Sequence, residues 1–409
     1  MARTFDTPIQ HLDECVALVH QLVERQINAH WEAGILPRVK DQFSGTFVSG
    51  GEVVALLGGA VPSPEAQQKL VDLDAAISAR EERIEAKLEE ARRQDQTLPF
   101  DVLRRAFALT PTEQRALWIL IALEVNAPLR QLMRYLVNEA SRVYADVGLL
   151  QLLVYSTDAT RELMLHELSP ESRLFRYRLV EFLGSRRQQE DAPFLLRQVK
   201  VHPRVIELVH GIVRLDREVA DIAELLHSLP PHDGLVLPDG IKHETVQLVR
   251  NALEASNGGT VSQAIVLSGS EGSGRKSLVY GAARAAGCSV VRIASDRLPA
   301  DPLELQRTVR ALLREAALFH AMPMFERIDV LAGDVELGRV DRSAVLDREL
   351  ASFLGPVAGT CTRRDTRPLA LSRGLVIVDV PMPTEAARAQ LWERALGMDA
   401  RGFDVDRAA

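Results

Sequence analysis

SQAIVLSGSEGSGRKSLVYGAARAAGCSVVRI, residues 262–293, is the stretch of sequence that decides the fold predicted for the C-terminal half of the chain. Residues 262–268 have the apolar pattern of a short strand, 278–286 that of a helix, and 289–293 that of a second strand. A glycine-rich loop between a strand and a helix is typical of phosphate-binding loops. There, backbone N–H groups and the helix N-terminus converge on phosphate oxygens. The stretch therefore predicts an α/β domain with a nucleotide-binding loop.

The loop departs from the usual pattern of Gly, four residues, Gly, Lys and then Ser or Thr. Its candidate binding residues are Gly269, Ser270, Glu271, Gly272, Ser273, Gly274, Arg275, Lys276 and Ser277. We prefer the register that uses Gly269 and Gly274, because glycine tolerates positive φ and a close approach to phosphate. Arg275 then takes the place of the lysine and can neutralise phosphate charge. Lys276 takes the place of the hydroxyl and cannot ligate Mg²⁺, because it has donors only.

Hydrolysis requires carboxylates after a neighbouring strand, one on the Mg²⁺ side and one beside the attacking water. The candidate segment is MPMFERIDVL, residues 322–331, which resembles the hydrophobic-Asp-Glu-Ile-Asp-x-Leu stretch of AAA+ ATPases. That resemblance aligns Glu326 with the metal-side acid of the family and Arg327 with its catalytic glutamate. Asp329 is a further candidate metal ligand. A guanidinium stays protonated at any working pH, so Arg327 cannot act as a base. The catalytic residues stay unassigned, and a buried strand followed by ordinary surface charges is the alternative.

Composition limits the function classes. The chain has 409 residues, 46% of them hydrophobic and 26% charged, with a net charge of −7, which predicts two or three folded domains without a global attraction to nucleic acid. Three widely spaced cysteines indicate neither a disulfide framework nor a zinc site. Neither a signal peptide nor an apolar run of ~18 residues is present, so we expect a cytoplasmic protein without membrane association.

Residues 1–97 are predicted to form a helical N-terminal region. Residues 7–33 have one apolar side, with Thr7 as the N-cap and Pro8 at the first helical position. Residues 64–95 form a charge-rich helix whose apolar spacing fits a coiled-coil seam. The seam residues are Leu70, Leu73, Ile77, Ile84 and Leu88. Such a helix is expected to pack on a partner in the same chain or in another subunit.

Residues 98–226 resemble a winged-helix module. Helices, one of them opened by a capping box at Thr110 and Glu113, precede two strand-like runs at 174–183 and 193–201. The polar stretch GSRRQQED, residues 184–191, is predicted to join them as a hairpin linker, and residues 204–226 are predicted to be helical. Arginines near the predicted wing suggest DNA binding. They are Arg173, Arg176, Arg178, Arg186 and Arg187. Acidic residues share the tip and aromatic residues are sparse, so protein contact is favoured over DNA binding.

Residues 235–396 alternate strand and helix, which predicts a parallel sheet with crossover helices. AAA+ domains place a polar sensor residue at the end of the strand predicted at 355–362, where this chain has Thr360, Cys361 and Thr362. Four arginines occupy the region where an arginine finger would be sought, and we interpret them as surface residues: Arg363, Arg364, Arg367 and Arg373. The chain stops at Ala409, one helix into the predicted lid, so we expect it to be a portion of a longer protein or a product that stops early.

Residues 98–396 together resemble the N-terminal part of a bacterial AAA+ family found in gene clusters for contractile injection systems, which resemble phage tails. In that family a winged-helix domain precedes a degenerate first ATPase module and an intact second one. The resemblance is carried by FDVLRRAFALTPTEQRALWILIALEV (100–125), the loop at 272–275 and PMPTEAARAQLWERAL (381–396). It implies ATP and Mg²⁺ as ligands, a homo-oligomer, and partners that are components of a protein complex such as a phage-tail-like assembly. Remodelling or assembly of that complex is the implied function.

Two other interpretations remain open. The first is a slow ATPase in the shifted register, with Lys276 and Ser277 in the loop and Asp329 as the metal-side acid. In that register Ser270 and Arg275 occupy the places of the two glycines. The second is a non-enzymatic scaffold or a winged-helix DNA-binding regulator whose loop is vestigial.

Overall fold

The structure, a computed structural model, describes residues 4–36, 50–58, 63–139, 141–333, 340–362 and 371–396. The chain divides into two compact units between Val213 and Arg214. The boundaries predicted from the sequence, 1–97, 98–226 and 235–396, stay predictions. Each unit is described separately below.

The first unit is mainly helical and contains a small antiparallel sheet. Its helices are α1 (Pro8–Glu32), α2 (Gly50–Gly58), α3 (Pro64–Arg93), α4 (Pro99–Ala106), α5 (Pro111–Val125), α6 (Ala127–Leu136), α7 (Val147–Leu153), α8 (Asp158–Glu167), α9 (Arg173–Arg176), α10 (Arg186–Asp191) and α11 (Pro203–Val209). Its strands are β1 (Ala145–Asp146), β2 (Val180–Phe182) and β3 (Gln198–Val201). They pair in the order β1-β3-β2, with both pairings antiparallel. Helices followed by this sheet confirm the predicted winged-helix fold class.

The predicted starts of the long helices are confirmed. The Thr7 side chain accepts a hydrogen bond from the Gln10 backbone N–H, and Thr110 and Glu113 form the predicted capping box of α5. Helix α3 packs along α1, and three of its seam residues, Ile77, Ile84 and Leu88, are buried. The seam of α3 therefore has a packing partner within its own chain.

The helices of the described part differ from membrane-spanning segments, which require about 20 apolar residues. Within the described part of the chain, no single helix has both the length and the apolar character to cross a bilayer. Taken together, α5 and α6 meet the length and composition requirements, but the pair is bent by 116°.

Four predicted elements of the first half are wrong in extent. One is the strand predicted at 193–201, of which 194–196 form a 3₁₀ helix and only 198–201 form β3. Residues 174–183 begin as helix α9, and only 180–182 are a strand, because Arg178 adopts a left-handed φ of 52° that reverses the chain direction. The predicted hairpin linker at 184–191 contains α10, which the Ser185 side chain caps. The helix predicted over 204–226 ends at Val209, shortly before Gly211 with its φ of 82°. Residues 223–226 form a strand instead.

The second unit is an α/β domain. Its strands are β4 (Ala223–Leu226), β5 (Ala264–Ser268), β6 (Ser289–Ala294), β7 (Ala321–Glu326), β8 (Ala358–Cys361) and β9 (Leu375–Asp379). Its helices are α12 (Asp239–Asn257), α13 (Arg275–Ala285), α14 (Pro302–Leu318), α15 (Ser343–Leu350) and α16 (Glu385–Leu396). The sheet order is β4-β6-β7-β8-β5-β9; β4 pairs antiparallel with β6, and the other pairings are parallel. The predicted parallel sheet is confirmed, with one antiparallel edge strand added.

The core of this domain lies between the sheet and the helices α12 and α13. All five residues of β5 are buried, and so are all four of β8. Because β5, β7 and β8 run in the same direction, their carboxyl ends lie at one edge of the sheet. Ligand sites of open parallel sheets lie at that edge. The loop after β5 and the segments after β7 and β8 therefore come together there.

Candidate nucleotide-binding site

The glycine-rich loop connects the end of β5 at Ser268 to the start of α13 at Arg275. Gly274 is the residue before the helix, with a φ of 87°, and Gly272 has a φ of 83°. Both angles lie in the left-handed region that residues with a Cβ rarely adopt. The helix starts three residues earlier than predicted, so Arg275 and Lys276 belong to its first turn, next to the exposed N–H groups of its N-terminus.

The first glycine of the preferred register, Gly269, is required by packing. A Cβ on Gly269 would lie 2.5 Å from the Val380 carbonyl oxygen and 2.8 Å from Ser273 Oγ. A Cβ on Gly272 would meet no heavy atom within 4 Å. Gly269 thus allows the chain to pass close to the end of β9, whereas Gly272 borders open space.

The remaining loop residues differ in exposure. Ser270 and Glu271 are exposed, Ser277 is half-buried, and Ser273 is fully buried at 0% exposure. Ser273 Oγ has no hydrogen-bond partner among the described residues, although its backbone N–H donates to the Ser270 carbonyl oxygen. A buried polar atom without a partner is uncommon in a folded protein. Together with the exposed turn and the start of an 11-residue helix, it fits a loop that accepts an anionic ligand.

Arg275 is directed toward the neighbouring strand. Its Nη1 donates a hydrogen bond to the carbonyl oxygen of Cys361, the last residue of β8. The side chain is half-buried. The guanidinium has further N–H donors that could contact a ligand. Its assignment as the phosphate-neutralising residue stays a prediction.

Lys276 contacts the residue predicted to be the metal-side acid. Its Nζ lies 2.7 Å from Glu326 Oε1, at the end of β7, and the Lys276 and Glu326 side chains are 54% and 19% exposed. Arg292 Nε lies 3.9 Å from the same oxygen. A pair with so exposed a lysine contributes at most about 1 kcal/mol to folding stability. Burial, followed by the Glu326 charge, raises the pKa of nearby Tyr280 to about 12, so its hydroxyl stays protonated.

The segment after β7 is tied to the end of β8 by side-chain hydrogen bonds. The Arg327 backbone N–H donates to Thr360 Oγ1 at 3.0 Å, and Thr362 Oγ1 donates to Asp329 Oδ2 at 3.1 Å. Arg327 Nη2 also lies 2.7 Å from Asp296 Oδ2. The polar residues at the expected sensor place therefore hold the β7 segment. Arg327 cannot act as a base, because its guanidinium stays protonated, and it is paired with Asp296.

The residues present do not fit a Mg²⁺ ion. The ammonium of Lys276 already contacts Glu326, and Asp329 Oδ2 is used by Thr362. Magnesium needs oxygen ligands, whereas lysine offers only donors. The loop fits a phosphate, and its surroundings do not fit the metal.

One of the four arginines interpreted as surface residues is buried, and that interpretation was wrong for it. Arg373 is 8% exposed, and its guanidinium donates to the carbonyl oxygens of Ser262, Leu350, Phe353 and Gly355. Burial lowers its pKa to about 10. It ties the end of α15 to the start of β5. Arg363, Arg364 and Arg367 lie outside the described residues.

The contact between Lys276 and Glu326 is the feature that the sequence reasoning missed. The signal was present, because the preferred register placed a cation and an acid at two positions that normally bind one metal ion. Arg292 carried no such signal, since it lies in the middle of β6 and approaches Glu326 only through the pairing of β6 with β7.

Comparison with known proteins gives one family match and several structural similarities. The family model described as "Winged helix domain, variant" matches residues 1–223, more than half of the chain. The chain is similar to the FIGL-1 AAA domain at 16% identity and a TM-score of 0.34, covering 45% of this chain and 67% of that one. The FIGL-1 AAA domain in complex with ADP is 17% identical with a TM-score of 0.35, and the match covers 46% of this chain and 68% of that one. A katanin structure concerned with self-assembly is 17% identical with a TM-score of 0.36, and the match covers 48% of this chain and 71% of that one. A comparison with curated proteins found no match.

Proposed function

The chain belongs to the winged helix domain, variant, family, and we propose that its α/β domain is an AAA+-like module that binds ATP or ADP without efficient hydrolysis. The observation that carries this proposal is the loop between β5 and α13. Gly272 and Gly274 have left-handed backbones there, Gly272 borders open space, and the N-terminus of α13 follows. These features support phosphate binding by backbone N–H groups.

Slow or absent hydrolysis follows from the residues at the end of β7. The place of the catalytic glutamate holds Arg327, which is paired with Asp296. The metal-side acid Glu326 is paired with Lys276. Without a base and a metal, water activation and charge stabilisation are both missing. The slow ATPase in the shifted register is disfavoured because that register puts Ser270 and Arg275 in the places of the two glycines, whereas Gly269 and Gly274 occupy the positions that need glycine.

The resemblance to the injection-system family suggests the biological role. We propose that the protein acts in the cytoplasm as part of a homo-oligomer that remodels or assembles a protein complex, such as a phage-tail-like structure. The winged-helix unit would contact protein partners, and the nucleotide would control the state of the α/β domain. The helix α3, predicted as a coiled coil, has exposed charged faces that leave room for a further partner.

Arginines around the wing support protein contact over DNA binding. Arg173 donates to the Ala108 carbonyl oxygen, and Arg178 Nη2 lies 2.7 Å from Glu181 Oε1. Arg187 is 92% exposed but has Asp191 4.0 Å away. A surface that binds phosphates needs basic side chains without neighbouring acids.

The scaffold alternative rests on Gly269, whose packing role explains one loop glycine without any ligand.

Two matched glycine variants test the proposal. Gly272→Asp places a carboxylate in the loop, whereas Gly287→Asp places one after α13. Both glycines have positive φ, 83° and 76°, and both border open space. The backbone strain is therefore similar, and only the first variant puts a negative charge near a bound phosphate.

The measurement is equilibrium binding of a fluorescent ATP analogue to the full chain. We expect Gly272→Asp to weaken binding at least about tenfold, or 1.4 kcal/mol, and Gly287→Asp to leave it unchanged. Equal effects of the two variants, or a wild-type chain without saturable binding, would refute the proposal and favour the scaffold with a vestigial loop.

A further inference from the structure

We propose that the Lys276 ammonium takes over the charge of the divalent cation in this site, so that nucleotide binding is independent of Mg²⁺. This inference rests on the proposed function and specifies how the loop neutralises its ligand. It begins with two facts: Lys276 lies in the first turn of α13, and its Nζ lies 2.7 Å from Glu326 Oε1.

The charges around Glu326 are already balanced. Lys276 and Arg292 both approach Glu326 Oε1, at 2.7 Å and 3.9 Å. The neighbouring acid Asp296 is paired with Arg327, and Asp329 Oδ2 accepts a hydrogen bond from the Thr362 hydroxyl, while Asp329 Oδ1 is buried without a hydrogen-bond partner among the described residues. A divalent ion at Glu326 would meet the Lys276 ammonium, which lies 2.7 Å from Glu326 Oε1, whereas the more distant Arg292 is also paired with Glu224. Coulomb repulsion from Lys276 opposes the binding of that ion.

Lysine can contact a carboxylate and a phosphate at once. An ammonium has three N–H donors, and one of them suffices for Glu326. The Lys276 side chain is 54% exposed, so a ligand can reach its ammonium. Lysine is a common phosphate ligand that acts as a point charge. One positive charge replaces two, which is sufficient to bind a nucleotide and insufficient to support its hydrolysis.

The first test compares binding of the fluorescent ATP analogue to the wild-type chain with excess Mg²⁺ and with EDTA. We expect dissociation constants that agree within about twofold. Binding that weakens tenfold or more in EDTA overturns the inference and leaves the proposed function standing. No binding under either condition overturns both.

The second test removes the cation and keeps the length of the side chain. In EDTA, Lys276→Met is expected to weaken binding at least about tenfold. Lys242→Met is the control, since Lys242 lies on α12 and pairs with Asp239. Thermal unfolding confirms that both variants are folded, as expected for Lys276 because half of its side chain is exposed. Unchanged binding by folded Lys276→Met overturns the inference.

Discussion

His11 on α1 is a single residue with a large predicted effect on stability. It is 2% exposed and packs against the rings of Phe5, Phe100 and Trp118, with ring centroids 4.8, 6.2 and 5.5 Å away. Burial, followed by the charge of Lys87, lowers its pKa from 6.5 to about 4. The imidazole is therefore neutral in the folded protein at neutral pH.

The pH dependence of stability follows from this pKa. Between pH 6.5 and 4 the unfolded chain binds a proton at His11 that the folded chain does not bind, so stability is lost as the pH falls through this range. We expect His11 to account for a loss of about 2 kcal/mol between pH 7.5 and pH 5. Urea unfolding of His11→Phe at both pH values should show a pH dependence smaller by this amount. His20→Phe, on the exposed side of the same helix, is the control, and equal pH dependence in wild type and His11→Phe would contradict the assignment.

At the scale of helices and strands, local pattern predicted the elements that carry their own signals. The apolar run of β5, the glycines after it and the apolar residues of α13 made that part of the site predictable. Strand β4 was not predictable in this way, because its four residues are paired only with β6, about 70 residues later. The Lys276–Glu326 contact was indicated by the motif positions of the two residues, but its distance of 2.7 Å depends on how α13 and β7 pack, which no local pattern contains.

Arg373 tests the connection between α15 and β5. Arg373→Met leaves the carbonyl oxygens of Leu350, Phe353 and Gly355 without this donor in a buried place. Since each buried acceptor without its partner costs about 1–3 kcal/mol, we expect a loss of about 3 kcal/mol after partial compensation by water. Chemical denaturation measures it, with the exposed Arg307→Met as the control. A loss equal to that of the control would show that the guanidinium does not hold these elements together.

At the scale of the whole molecule, the α/β unit includes residues that the sequence assigned to the winged helix. Residues 214–226 provide β4 and Asp216, which pairs with the fully buried Arg314. The family match, which ends at residue 223, thus overlaps the second compact unit. Local sequence pattern does not contain the pairing of Arg314 with Asp216, because the two residues are almost 100 positions apart.

Two fragments test where the α/β unit begins. We expect residues 214–409 to unfold cooperatively, whereas 227–409 lacks β4 and Asp216, so that Arg314 loses one buried ion pair and keeps its contact with Glu315. Breaking a buried pair costs about 3–5 kcal/mol, and an uncovered strand edge promotes aggregation. Urea denaturation and size-exclusion chromatography measure both effects. Equal stability of the two fragments would place the start of the unit after β4.

The most direct test of the account is a titration of the full chain with a fluorescent ATP analogue in EDTA, repeated with Gly272→Asp and Gly287→Asp. We expect saturable binding with a dissociation constant on the order of micromolar, retained in Gly287→Asp and weakened at least about tenfold in Gly272→Asp. Absence of saturable binding at about millimolar nucleotide by the wild-type chain, with or without Mg²⁺, would contradict it.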